Sequence, residues 1–188
     1  MMTKMDYFVQ VSKAISSLTK HNGKIDLIIE KILEVYKNNS KILVAGNGGS
    51  NADGLHFVGE LVCTFIDRKR KPISAIELNS SQPEITAWAN DFSYKTFLER
   101  KIEAHGNDGD IAIFLSTSGG NYDDDSTINL IKAMNDFSCR IFIFSSSASV
   151  YGISSKTFLS EEDPINPVNP YALTKSTIEK FLDNVSLN

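Results

Sequence analysis

The chain has 188 residues, of which 41% are hydrophobic and 22% charged, with a net charge of -4. That is room for one well-cored domain, or one domain plus an appendage, and the acidic balance leaves no electrostatic footprint for nucleic acid. Cys63 and Cys139 are too far apart for a metal-type spacing and read as two buried thiols of a reducing compartment. The start, MMTKMDYFVQ, lacks a signal-peptide apolar core, and no segment approaches the ~20 apolar residues of a membrane span. The expectation is a soluble cytoplasmic protein with neither nucleic acid nor membrane as partner.

Phe8, Val11, Ala14, Ile15 and Leu18 fall at helical spacing, and Gly23 ends that pattern. Ile25, Leu27, Ile28, Ile32, Leu33 and Tyr36 predict a second helix, stopped by Asn38-Asn39-Ser40, so the pair reads as an antiparallel helical hairpin. KILVAG (41–46) is a short apolar run ending in glycine, as in a buried parallel strand. Helices and strands then alternate: helix 50–65, strand 72–78, helices 83–89 and 92–104, strand 110–116, helix 126–137 and strand 140–146. This alternation predicts an α/β layer fold on a mostly parallel sheet. Right-handed crossovers put the loops GNGGS, STSGG and SSSAS at one sheet edge. RKRK (68–71) reads as a solvated surface loop. From Gly152 a Pro-rich loop leads to a last helix opened by Pro170.

GNGGS (46–50) lies between a strand and a helix. It is neither a Walker loop nor a dinucleotide fingerprint. It is either a tight turn or an anion site made of helix N-terminal amides and Ser50. STSGG (116–120) offers three hydroxyls and nearby amides to a phosphate, or is a structural turn. His56 and Glu60, at i and i+4, share a helix face. They either ligate a metal, with Glu60 also able to act as a base, or form a solvated polar pair.

Together, GNGGSNADGLHFVGEL, AWANDF and LSTSG resemble the phosphoheptose isomerases, a branch of the sugar isomerase (SIS) domain class, over residues 1–121. That resemblance implies a three-layer α/β sandwich, a homotetramer, conversion of sedoheptulose 7-phosphate to a mannoheptose phosphate, and zinc. It implies that Asn47, Gly48 and Gly49, with Asn90 and Asp91, bind substrate. Ser116, Thr117 and Ser118 would hold its phosphate. His56 and Glu60 would be metal ligands, Glu60 being also the proton-transfer carboxylate. Asn121 stands where the family has a further phosphate-binding Ser, and Cys63 and Thr64 replace a Gly and an Arg. The family's last helix carries a Gln and a His; this chain has no His beyond His105.

From residue 122 the sequence resembles a different family. FSSSASVYG and NPYALTK are similar to the extended short-chain dehydrogenase/reductases of the UDP-glucose 4-epimerase type, with Ser147, Tyr171 and Lys175 matching their Ser, Tyr and Lys. The Gly-rich dinucleotide turn of that family is missing, so NAD is not expected, and Tyr171 and Lys175 have no hydride carrier to serve. The chain reads as a hybrid. Residues 1–121 form an incomplete sugar-phosphate domain. Residues 122–188 are an epimerase-like helix-strand-loop-helix tail that partly completes the sheet and whose last helix is expected to pack poorly. The leading function is recognition of a sugar phosphate, with impaired isomerisation and an incomplete zinc site. The alternatives are an inactive binding or oligomerising module and an epimerase-type oxidoreductase fragment.

Overall fold

Four short apolar runs form the centre of the molecule, the inner two buried along nearly their whole length. In the computed structural model these are β1 (Ile42–Gly46), β2 (Ala75–Glu77), β3 (Ile111–Leu115) and β4 (Ile141–Phe144), all parallel and ordered β2-β1-β3-β4. Residues 4–17, 19, 22–115, 121–139, 141–154, 156 and 159–186 are described. The helices are α1 (Lys4–Ser17), α2 (Asn22–Lys37), α3 (Gly49–Val62), α4 (Gln82–Asp91), α5 (Phe97–His105), α6 (Asn121–Asp136) and α7 (Pro170–Ser186). This is the expected three-layer α/β architecture, with two consecutive helices leading into the first strand.

Alternate residues of each strand face opposite layers. Ile42, Val44, Ile111 and Ile113 pack with Val35 and Ile32 of α2 and with Phe57, Val58 and Leu61 of α3. Leu43, Ala45, Ala112 and Phe114 pack with Phe97, Leu98 and Ile102 of α5 and with Leu130, Ala133 and Met134 of α6. Each fully buried aliphatic side chain is worth about 1.5–3 kcal/mol against exposure, so the two clusters dominate stability. The N-terminal ends of β1 and β3 are fastened by Asp110. Its carboxylate accepts from the Lys41 amide at 2.8 Å, the Lys41 ammonium at 2.6 Å and the Asn107 amide at 2.9 Å. The opposite, C-terminal edge is left for loops.

Several boundaries differ from the sequence expectations. β2 pairs over only three residues, because Pro72 has no N–H and the Ile73 amide is taken by the Leu61 carbonyl at 3.0 Å. α6 begins at Asn121, five residues before its apolar periodicity does. Cys63 is exposed, not buried, whereas Cys139 is buried. The last helix does not pack poorly: Ala172, Lys175, Ser176 and Ile178 of α7 are buried, and α7 contacts α6 and the 3-10 turn Ala148–Tyr151. Among the described residues no helix is long and apolar enough to cross a membrane.

Candidate functional site

The strand order places β1 between β2 and β3, so the chain leaves β1 toward one side and returns on the other. Ligands of open α/β sheets bind at the carboxyl ends of strands at such a reversal. The GNGGS loop emerges there. A Cβ on Gly46 would stand 2.6 Å from the Ser50 carbonyl carbon and oxygen and 2.7 Å from the Asn51 amide, so the helix start lies directly on the strand end. Gly48 has φ 57 and ψ -123, a conformation closed to residues with a Cβ. The Ser50 and Asn51 amides close the turn onto the Asn47 and Gly48 carbonyls, each at 3.1 Å. Gly48 and Gly49 face open space. Ser50 is 2% exposed.

His56 and Glu60 come together on α3, with Nε2 to Oε1 3.2 Å. The imidazole is 79% exposed, whereas the other carboxylate oxygen of Glu60, Oε2, is buried without a hydrogen-bond partner. Two donors on adjacent turns are one short of the three protein ligands of a catalytic zinc. Among the described residues no group of three or more His, Cys, Asp or Glu is assembled. The described donors therefore do not fit a resident catalytic zinc.

Asn90 and Asp91 end α4, where the Asn90 amide nitrogen donates to Asp91 Oδ1 at 2.8 Å. Asp91 borders a cavity of about 410 Å³ between α4 and α5, whose walls include Trp88, Phe92, Arg100 and Lys101. Trp88 and Phe92 stack at 4.3 Å, and the Arg100 guanidinium lies 5.4 Å from the Trp88 ring. Ser116, Thr117 and Ser118 lie outside the described residues. Asn121 is the first residue of α6; its side chain lies outside the described set.

Three polar groups escaped the sequence reading. Arg70, in the RKRK run, is not simply solvated: it clamps the end of α3. Its guanidinium donates to the Glu60 carbonyl at 2.5 Å and to the Leu61 carbonyl at 2.9 Å. Glu77, the one charge in PISAIEL, is 3% exposed at the carboxyl end of β2 and accepts from Asn51 Nδ2 at 2.8 Å. Burial pushes the Glu77 carboxyl up to about 7, against the opposing pull of the Asn79 backbone amide and the Lys101 charge. Asn79 Oδ1 accepts from the Gly46 amide at 3.3 Å.

The model of the SIS domain matches residues 6–146. The chain belongs to the SIS domain family. A probable phosphoheptose isomerase from Thermoplasma acidophilum is 37% identical over 142 residues, 74% of this chain and 76% of that protein. A phosphoheptose isomerase from Clostridium acetobutylicum is 44% identical over 51% of this chain, which spans only 48% of that protein. Among solved structures, a phosphoheptose isomerase from Francisella tularensis superposes with a TM-score of 0.65 at 20% identity, over 97% of this chain and 100% of that one. At that identity the likeness is one of fold.

A second model, of GDP-mannose 4,6 dehydratase, matches residues 120–186 and overlaps the end of the SIS domain match. The UDP-Glc/GlcNAc 4-epimerase from Campylobacter jejuni superposes with a TM-score of 0.56 at 23% identity, over 79% of this chain and 49% of that one. Lys175 is 0% exposed; its ammonium donates to the Ser145 carbonyl at 3.1 Å and lies 4.6 Å from the Phe144 ring and 5.9 Å from that of Tyr171. Ser147 Oγ accepts from the Ser149 amide at 3.3 Å and pairs with the Ser149 hydroxyl at 2.9 Å. Cys139 is no nucleophile: burial pushes its thiol up to about 12, and its Sγ donates to the Asp110 carbonyl at 3.1 Å.

Proposed function

We propose that the chain binds a ketose or aldose phosphate at the carboxyl edge between β1 and β3, in the manner of a phosphoheptose isomerase, and that Glu60 is its proton-transfer carboxylate. The observation that carries this reading is the Gly-rich turn of a SIS domain set at the strand-order reversal, with open space above Gly48 and Gly49. The turn's amides and Asn47 would take the sugar oxygens, Asn90 and Asp91 would flank them, and Ser116–Ser118 would take the phosphate. Isomerisation moves a proton between adjacent carbons and another between their oxygens. Glu60 supplies the first base. The second group, the Gln and His of the resembling family, is missing from the tail, which supports a sugar-phosphate-binding module with weak turnover. The same gap supports a substoichiometric zinc content, and the missing Gly-rich dinucleotide turn supports no binding of NAD. Exposed apolar residues on α1 and α2, among them Met5, Phe8 and Ile15, support burial against further copies of the chain, as a homo-oligomer.

Sedoheptulose 7-phosphate is expected to raise the melting temperature, and Ser118→Ala to weaken that binding by about 1 kcal/mol, the net worth of one hydrogen bond. Glu60→Gln is expected to abolish residual isomerase activity, since an amide cannot take the C–H proton, while binding persists. A folded protein that no sugar phosphate stabilises would refute the site. Dialysed protein is expected to hold well under one zinc per chain by elemental analysis. A full equivalent, with robust turnover, would mean that tail residues complete the ligand set.

A further inference from the structure

We propose that Glu77 is a positioning residue: as a buried strut at the end of β2 it holds Asn51, and through it the Gly-rich turn, in the shape that receives the ligand. The inference rests on the sugar-phosphate reading of that turn. Glu77 pairs in register with Val44 of β1, so its side chain enters the layer under α3. There α3 carries Gly54, whose absent side chain leaves room: a Cβ would stand 3.2 Å from Val44 Cγ1 and 3.7 Å from Glu77 Cγ. The carboxyl reaches the first turn of α3 and takes the Asn51 amide nitrogen on Oε1. Oε2 is buried with no hydrogen-bond partner. Beside this bond the turn is fastened from the Gly46 amide to Asn79 Oδ1 and from the Asn51 amide to the Gly48 carbonyl. The Asn51–Glu77 bond ties the end of β2 to the first turn of the loop's helix through two side chains.

An orphaned carboxylate oxygen in an apolar layer is costly when charged. Among the described residues, the Asn79 backbone amide and the Lys101 charge, from α5, favour its ionised form, and burial outweighs both. The folded-state value is raised from the ordinary 4.5 to about 7. A raised acid binds protons in the closed state that it releases when the loop opens and water reaches it. Closed-state preference is therefore complete below the ordinary value, falls as pH rises, and levels off above about 7. Glu77 makes the turn looser in alkali, by about ten-fold in opening between pH 6 and pH 8 for a shift of this size.

The test is hydrogen exchange of residues 46–55, without ligand, in the wild type, E77A, E77Q and N51A at pH 6 and pH 8, together with the affinity for sedoheptulose 7-phosphate. E77A and N51A should each lose at least ten-fold in protection at pH 6 and at least five-fold in affinity. E77Q keeps the acceptor oxygen; it should restore both, and its protection, corrected for intrinsic exchange, should not change with pH, whereas that of the wild type falls about ten-fold. Rescue by glutamine and loss of the pH slope separate positioning from mere core filling. N51A leaves the core intact and carries the test if E77A does not fold. Unchanged exchange in N51A, or an unchanged pH slope in E77Q, with ligand binding present in the wild type, overturns the strut. A wild type that binds no sugar phosphate overturns the reading of the site, and with it the ligand half of the proposal.

Discussion

Gly46→Ala is expected to destabilise the protein by about 3 kcal/mol, and more if the helix start cannot move. The added methyl would sit 2.6 Å from main-chain atoms of Ser50, and backbone, unlike the end of a flexible side chain, has nowhere to swing. Overpacking of that kind costs roughly 1–3 kcal/mol in ordinary cores and more where the neighbour is fixed. For a domain of this size about 3 kcal/mol lowers the melting temperature by about 6–12 °C. Gly59→Ala is the control. It lies within α3, its added methyl meets nothing within 4 Å, and an alanine there should stabilise by up to about 1 kcal/mol. Thermal melts of the two variants decide the matter; equal melting temperatures would mean that α3 is not seated on the end of β1 as described.

Lys175→Ala is expected to cost about 3 kcal/mol in urea denaturation. The lysine stem is wholly buried, and its loss removes packing and leaves the Ser145 carbonyl without the ammonium. Lys175→Met keeps most of the volume and should recover about half of that loss. Sugar-phosphate affinity should be unchanged in both. An oxidoreductase reading requires the opposite, a lysine free to reach a cofactor ribose. An alanine variant as stable as the wild type would show that Lys175 does not fasten α7 to the end of β4.

The layer architecture was legible because strand runs such as KILVAG and DIAIFLS are apolar on both faces, a pattern that survives any detail of packing. The Gly-rich turn was legible for a similar reason: its glycines answer to local backbone geometry. What stayed hidden depends on partners far along the chain. Glu77 reads as one charge in an apolar run, and only the register of β2 against β1 brings it beneath Asn51. Arg70 reads as part of a basic surface loop, and only the return of that loop past α3 gives it carbonyls to hold. The early start of α6 was missed because YDDD carries no apolar period. Acidic residues in a first helical turn are nevertheless favourable to the helix dipole.

The all-parallel sheet also sets the order in which the protein can be made. No strand pairs with its neighbour through a hairpin, and β1 meets its inner partner only when Asp110, 69 residues beyond Lys41, has been added. At translation rates of about 5–20 residues per second, the newborn β1 waits roughly 3–14 s with its apolar faces uncovered on that side. Until then α2, α3 and β2 can shelter one flank alone. A pause in synthesis before β3 would lengthen the period in which the nascent chain depends on chaperones.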